Sequence, residues 1–393
     1  MITITNKKEC CGCSACYNIC PKDAIIMKPD SEGFLYPKVS EELCINCGLC
    51  EKTCPVVHKL EPQEKGLEKA YLLQHKNETV LMESTSGGAF SVIAEYVLRK
   101  QGIVYGAAFN KDFKVVHEGL EKREDIYRFR NSKYVQSDIN TTFREVKSNL
   151  NQGRIVCYSG TPCQINALKK YLGKEYENLI TVDVVCRAVP SPGIWKSYVE
   201  WLSNKGHISS IRFRDKELGY QYSTMKVSYQ SGKTIRKGSE SDCWLRMFLS
   251  GMIIRPSCTD CKFKSPNRVS DFTIWDCFNV YKLDKSINEN KGVTRILVHS
   301  KKGEEILKII SESIIIKAIP YSSCISGVKQ LKESAEMNRD RKAFFEDYKK
   351  MTFEELMNKY YPNTPTIQMK AMVRRMLNLL KLDVWVKHVL NKG

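Results

Sequence analysis

The chain has 393 residues, 42% of them hydrophobic and 27% charged, which excludes a disordered or fibrous protein and points to a folded globular one. That length exceeds a single small core and predicts two or three domains, while no run approaches the roughly 18 apolar residues of a membrane span. A formal net charge of +18 suits an acidic protein partner, an anionic substrate or an anionic membrane surface; no dense basic and aromatic stripe, helix-turn-helix or zinc-finger spacing supports binding to nucleic acid.

The stretch from Met1 to Cys10 is polar and runs straight into cysteines, so no secretory leader is expected and the chain is read as cytoplasmic. Seventeen cysteines in a reducing compartment argue for metal rather than disulfides, and nine of them fall between Cys10 and Cys54. Cys10, Cys13, Cys16 and Cys20 follow the spacing C-x2-C-x2-C-x3-C and precede Pro21; Cys44, Cys47, Cys50 and Cys54 repeat it and precede Pro55. This is the pattern of two [4Fe–4S] clusters: the first three thiolates of each run reach one cubane, and the fourth turns away to the neighbouring one. One cluster is therefore assigned to Cys10, Cys13, Cys16 and Cys54, the other to Cys44, Cys47, Cys50 and Cys20, and Cys11 is left as a spare thiol. Zinc also accepts C-x2-C pairs, but zinc ribbons do not repeat this run. Short strands are expected at Ala24–Met27 and Phe34–Tyr36 around a Pro-Asp-Ser-Glu-Gly turn, in a ferredoxin-like domain over residues 1–60 that depends on its metal. Each cluster with its thiolates adds about two to three negative charges, so three would lower the net charge to roughly +10.

A charged linker with Pro62 and Gly66 follows, from Val56 to Lys69. Strands are then predicted at Ala70–Gln74, Gly102–Phe109, Lys114–Glu118, Arg154–Tyr158 and Leu179–Val185. Helices are predicted at Ser86–Lys100, Ile139–Leu150, Pro162–Leu172 and Pro192–Leu202. Ile208–Arg214 and Ser223–Tyr229 read as an antiparallel pair, and further strands as Ser270–Trp275 and Thr294–His299. The fold class is α/β: a body with a parallel or mixed sheet over residues 61–332, an N-terminal ferredoxin-like head, and a helical C-terminal region over 333–393.

Cys163 opens a helix after one body strand and Cys186 ends another, both at the carboxyl edge of the sheet where ligands gather. The helix start favours a thiolate at Cys163. With the Cys258–Cys261 pair, four thiolates are available. By spacing alone they are either a third cluster site or buried structural thiols beside a lone zinc pair.

Thr85-Ser86-Gly87-Gly88-Ala89-Phe90, Ser159-Gly160-Thr161-Pro162-Cys163-Gln164, Asp183-Val184-Val185-Cys186 and Arg255-Pro256-Ser257-Cys258 with Cys261-Lys262-Phe263 resemble the family of coenzyme F420 hydrogenase/dehydrogenase β subunits. So do Val269-Ser270-Asp271-Phe272-Thr273-Ile274 and Asn290-Lys291-Gly292. The resemblance runs over roughly residues 5 to 350. It implies FAD and a body [4Fe–4S] cluster held by Cys163, Cys186, Cys258 and Cys261. It also places a flavin site at Ser86, Gly87 and Gly88, at Asn131, Lys133 and Tyr134, and after Asp271, including Asp276. Small residues opening a helix let backbone N–H groups meet a phosphate; equally, the glycines ease a tight turn and Lys133 is a solvated lysine. Two departures bear on this. Trp275-Asp276-Cys277-Phe278-Asn279 stands where relatives have Gly-Asp-Phe-Trp-Gly, so Trp275 and Asn279 alter or close the flavin pocket. Arg187-Ala188 replaces a His-Gly pair, leaving Arg187 as an anion ligand or a charge at the cluster's edge.

There is no GxGxxG, Walker motif or hydrolytic triad, and His58, His75, His117, His207, His299 and His388 are scattered. Thr366–Gly393 carries six Lys/Arg against Asp383, with Met369, Met372, Val373, Met376 and Leu380 in a stripe and Trp385 beyond it. Such a helix either lies on an anionic membrane or, the preferred reading, packs on the body with its basic face in water. The expectation is an iron–sulfur flavoprotein oxidoreductase passing electrons between ferredoxin or flavodoxin and an organic substrate, in the company of polysaccharide-biosynthesis genes as the resemblance suggests. The rivals are a relay subunit inside a larger redox complex and a metal-stapled interaction protein.

Overall fold

The computed structural model describes residues 1–62, 69–278, 280–287 and 289–380. The head is a hairpin of β1 (Ile25–Pro29) and β2 (Leu35–Val39), paired antiparallel with Ile25 opposite Val39, and flanked by short helices Ala15–Ile19 and Leu49–Lys52. Its small core contains Ile2, Ile25, Cys16, Cys50 and Cys54, so cysteines supply much of what it buries.

The body strands are β3 (Lys69–His75), β4 (Ile103–Phe109), β5 (Val115–Leu120), β6 (Val156–Gly160), β7 (Leu179–Val184), β8 (Ile208–Asp215), β9 (Thr224–Tyr229), β10 (Thr234–Lys237), β11 (Phe272–Asp276), β12 (Thr294–Val298) and β13 (Ile314–Ile319). Eight form one mixed sheet in the order β13-β3-β12-β11-β7-β6-β4-β5. The centre, β11-β7-β6-β4, is parallel, and the wings are antiparallel. Alternation along the strands sends successive side chains to opposite faces. Val104, Cys157 and Ile180 pack under the Ala89–Arg99 and Lys301–Ile309 helices, whereas Ile103, Tyr105, Val156 and Tyr158 pack under Thr142–Asn151 and Pro162–Leu172. A separate antiparallel sheet, β10-β9-β8, closes over a third core built by helices Pro192–Ser203, Cys243–Leu249, Arg341–Tyr348 and Phe353–Tyr360.

The predicted strands and helices are present, with shifted ends. The helix expected from Ser86 begins only at Ala89, because Gly88 takes a left-handed φ of +83° and caps it. The strands β10 and β13 and the helices Cys243–Leu249 and Lys301–Ile309 had no expectation. Two readings of the C-terminal region need correction. Phe344, Phe345, Phe353, Leu356 and Met357 are buried in the third body core, so the chain past residue 332 continues the body. The last described helix, Pro365–Leu379, buries none of its residues, and Met369, Met372, Val373 and Met376 face outward. The preferred packing on the body fails because the preceding helices already close that core. Arg374 tethers the helix by a 2.9 Å ion pair to Glu240 instead. Trp385, His388 and the linker glycine Gly66 lie outside the described residues.

Candidate metal centres

Of the two sets of head thiols expected from the spacing, one converges on a cavity. Cys10, Cys13, Cys16 and Cys54 line one cavity, with Ile2 and Ile4 at its wall. Burial pushes Cys16 and Cys54 up, a cost that iron's charge offsets on binding. Backbone groups at Ala15, Tyr17 and Val56 act the other way on Cys13, Cys16 and Cys54. In the other set, the N–H of Ala24 donates to Cys20 Sγ at 3.3 Å and that of Ile2 to Cys50 Sγ at 3.4 Å. Backbone donors aimed at sulfur are what an iron–sulfur cluster uses to spread its negative charge. Cys47 is the exposed head cysteine among the described residues.

The body set converges from four segments. Thr161 and Gln164 form a capping box, and Pro162 opens the helix, which sets Cys163 in the first turn at the carboxyl end of β6. Cys186 follows β7, the parallel neighbour of β6. Cys258 lies in a 3-10 turn over Pro256–Asp260, and Cys261 ends it. All four line one cavity, which is rimmed by Lys8, Arg187, Lys262, Lys264 and Arg268 against Asp260. Burial pushes the Cys186 thiol up, and Cys258 up to about 12; the cationic rim favours the ionised set. Among the described residues no three ligand side chains close on a point that a single ion would occupy; the sulfurs stand around a cavity instead. Arg187 is at the cavity's edge, donating to the Leu249 carbonyl at 2.8 Å.

Cys11 lines both cavities, its side chain against Cys13 on one side and Cys163 on the other. It joins the first head set to the body set, a position the run of cysteines did not single out. The junction is held rigidly. Arg255, fully buried, donates from Nε to the Cys10 carbonyl at 2.7 Å, and Gln136 Nε2 donates to the Cys11 carbonyl at 3.0 Å.

The residues expected around a flavin lie on the same carboxyl edge of the sheet, since Asp276 ends β11, the parallel neighbour of β7, after which Cys186 follows. Asn131 exchanges two hydrogen bonds with the Arg214 backbone. Arg214 Nη1 donates to Tyr134 Oη at 3.1 Å and to Asp276 at 3.0 Å, and Tyr220 donates to Asp276 at 2.9 Å. Lys216 is buried and donates to the carbonyls of Leu81, Ser86 and Lys291, tying the Ser86 turn to this cluster; burial pulls it down to about 7. Arg214, Lys216 and Tyr220 carry no motif and were not foreseen.

As a phosphate site this arrangement fits in part. Gly87 N–H already donates to Thr294 Oγ1 at 2.8 Å, and a Cβ on Gly87 would come within 2.0 Å of the Leu73 carbonyl, so that glycine serves close packing on β3. Lys133 donates to the carbonyls of Arg128 and Arg130 and is pulled down to about 7 by burial. The start of the Ala89–Arg99 helix, by contrast, has no side-chain cap, and buried Arg214 Nη2 lacks a hydrogen-bond partner; both suit an anion. Trp275 packs with Ala70, Leu297 and Cys324, on the sheet face opposite Asp276, and so does not block this cluster. Asn279 lies outside the described residues.

Residues 153–323 match the family model for the C terminus of the coenzyme F420 hydrogenase/dehydrogenase beta subunit, and residues 9–57 match a 4Fe-4S dicluster domain. The chain is 26% identical over 183 residues to one of the subunits of the F(420)H(2) dehydrogenase of Methanosarcina mazei, covering 44% of this chain and 51% of that one. It is 29% identical over 171 residues to the coenzyme F420-dependent sulfite reductase of Methanocaldococcus jannaschii, covering 42% and 26%. The matched stretch thus spans about half of the first relative and about a quarter of the second. An uncharacterised ferredoxin of the latter organism is 33% identical over 70 residues, which cover 17% of this chain and 90% of that protein. Among solved structures, the F420-reducing [NiFe] hydrogenase complex from Methanosarcina barkeri contains a similar chain, at a TM-score of 0.44 and 15% identity, covering 78% of this chain and 97% of that one.

Proposed function

We propose, from the premise that this chain belongs to the family of coenzyme F420 hydrogenase/dehydrogenase β subunits and carries a 4Fe-4S dicluster head, that it conducts single electrons from a protein carrier through three cluster sites to an organic acceptor at the body. One observation carries this reading: Cys10, Cys13, Cys16 and Cys54 line one cavity, Cys163, Cys186, Cys258 and Cys261 line another, and the two share Cys11 as a common wall. [4Fe–4S] clusters, when bound, supply one-electron chemistry. The chain's own part is to hold them at fixed separation, exclude water and set the local charge. Cys47 marks the outer end, where Leu43, Ile45 and Leu49 are exposed beside it. An apolar collar around a solvent-facing cluster suits brief docking of a ferredoxin or flavodoxin.

At the inner end the reading includes FAD, which would couple single electrons to two-electron chemistry. Its support is the unpaired Arg214 Nη2, the uncapped helix start and the exposed Phe278 ring stacked 4.9 Å from Tyr220. Anaerobic purification with assay of iron, acid-labile sulfide and flavin tests the whole. Roughly twelve irons with matching sulfide are expected for three clusters, with flavin released on denaturation. Iron without sulfide would end the cluster reading, and clusters without flavin would remove FAD.

A relay subunit without a substrate of its own is the second reading, favoured by the match to a protein named as part of a dehydrogenase. Reduction by dithionite with no turnover until a partner is added would select it. The outward stripe of the Pro365–Leu379 helix adds a peripheral membrane contact to either reading.

A further inference from the structure

Arg255 is a cation with 0% exposure, and none of its hydrogen bonds goes to a carboxylate. Its guanidinium donates to the Cys10 carbonyl at 2.7 Å, Gln136 Oε1 at 2.9 Å, the Leu35 carbonyl at 2.9 Å and Cys10 Sγ at 3.5 Å. The Tyr36 ring lies 4.3 Å from its centre and the Phe34 ring 5.4 Å. The ionisable groups that face it are the thiols of Cys10, Cys11 and Cys258 and the Tyr36 phenol. Leaving a charge in such a place uncompensated is costly. Space has been made for it: at Gly12 (φ +69°) a Cβ would stand 2.6 Å from Arg255 Nη1.

We infer that Arg255, although it belongs to the body segment that carries Cys258, is the counter-charge of the head cluster held by Cys10, Cys13, Cys16 and Cys54, and that it raises that cluster's reduction potential above that of the outer one. This rests on the electron-transfer reading above. A fixed positive charge and an N–H···S contact stabilise the reduced, more negative state of a cluster. No buried cation is hydrogen-bonded to Cys20, Cys44, Cys47 or Cys50 among the described residues, where the contacts are Ala24 N–H, Ile2 N–H and Asn46; the Met1 ammonium, which faces Cys50 and Cys44, is exposed and paired with Glu51 at 3.1 Å. The result is a downhill step from the exposed cluster to the buried one. Arg255 is thus a positioning residue, acting through the cluster rather than on substrate.

The test is a redox titration followed by electron paramagnetic resonance on the full chain, purified anaerobically, as wild type, Arg255→Gln and Arg255→Lys. The Cys10 signal is identified as the one lost in Cys13→Ser. In Arg255→Gln that signal should move to lower potential by at least a tenfold change in its reduction equilibrium, 59 mV for one electron, while the signal of the outer cluster holds. Arg255→Lys should recover part of the shift. If Arg255→Gln loses the Cys10 cluster and Arg255→Lys keeps it, the charge is what the cluster requires and the inference stands. Unmoved potentials in a fully loaded Arg255→Gln chain overturn it, as does loss of the cluster from both variants, which would make the role one of packing. A wild-type chain without clusters refutes the electron-transfer reading itself, a result distinguishable from all of these.

Discussion

His117 shows what a single buried group does to the pH range of this fold. Its ring stacks on Tyr158 at 5.3 Å, Nε2 meets the Ser159 carbonyl at 2.9 Å, and Nδ1 has no hydrogen-bond partner. Nε2 therefore carries the proton, and a second proton would have to enter at an unpartnered, desolvated nitrogen. Burial accordingly pulls the pKa from 6.5 down to about 4. An unfolded imidazole takes up a proton below about 6.5, the folded one only below about 4, so between these values the unfolded state binds more protons. Stability is full above the unfolded value and declines as pH falls, by about 3 kcal/mol once pH 4 is reached. His299 is also pulled down to about 4 by burial and adds to the same slope. Thermal melts from pH 7 to 4 should show a falling midpoint in the wild type and a shallower fall in His117→Gln; parallel curves would assign the slope elsewhere. At this scale the eight head thiols were legible because a cubane demands their spacing. Arg255 and Cys11 were legible only as a motif residue and a leftover. What gives them importance is proximity between segments distant in the chain, and no local pattern encodes that.

The same division runs through the elements. The hairpin turn at Gly33 was readable from its Pro-Asp-Ser-Glu-Gly run, but its use is not. A Cβ on Gly33 would lie 2.4 Å from the Gly193 Cα, so the turn touches the first residues of the Pro192–Ser203 helix backbone to backbone. Ser191, the cap of that helix, donates through Oγ to the Glu32 carbonyl, and Arg341 grips the Glu32 carboxylate with a 2.8 Å bond from Nη1 and a 2.5 Å bond from Nη2. The hairpin is thus the latch that fixes head to body. Gly33→Ala must adopt φ near +82° and push the two backbones apart. The conformational cost alone is about 1 to 3 kcal/mol. The expected outcome is faster loss of iron to a chelator from the head, measured by bleaching, with the body sheet still folded by circular dichroism. Unchanged bleaching would mean that the latch does not govern the clusters. Periodicity located the body helices and central strands, since their apolar faces repeat. It did not find β10 and β13, whose exposed positions blur the alternation, nor the late start of the Ala89–Arg99 helix, which Gly88 decides.

On the scale of the whole molecule, the Pro365–Leu379 helix is left with little to cover it. That helix carries Lys370, Arg374 and Arg375 and no acidic residue. Arg374 is held by Glu240 and by the Tyr222 ring, 4.9 Å away, which keeps Met369, Met372, Val373 and Met376 turned outward. An apolar stripe beside uncompensated cations is the composition that settles into the headgroup region of an anionic bilayer, each element too weak alone. Among the described residues no helix is long and apolar enough to cross a membrane, so any attachment through this helix would be peripheral. The full chain should pellet with vesicles containing anionic lipid, much less with neutral vesicles, and progressively less as salt screens the cations. A chain ending at Pro365 should stay in the supernatant, and so should full-length Met372→Glu, which puts a charge into the stripe at an exposed site where folding has nothing to lose. Equal pelleting of all three would leave the stripe without a role at membranes. Release of the full chain by salt with Met372→Glu unaffected in its binding would assign the contact to charge alone.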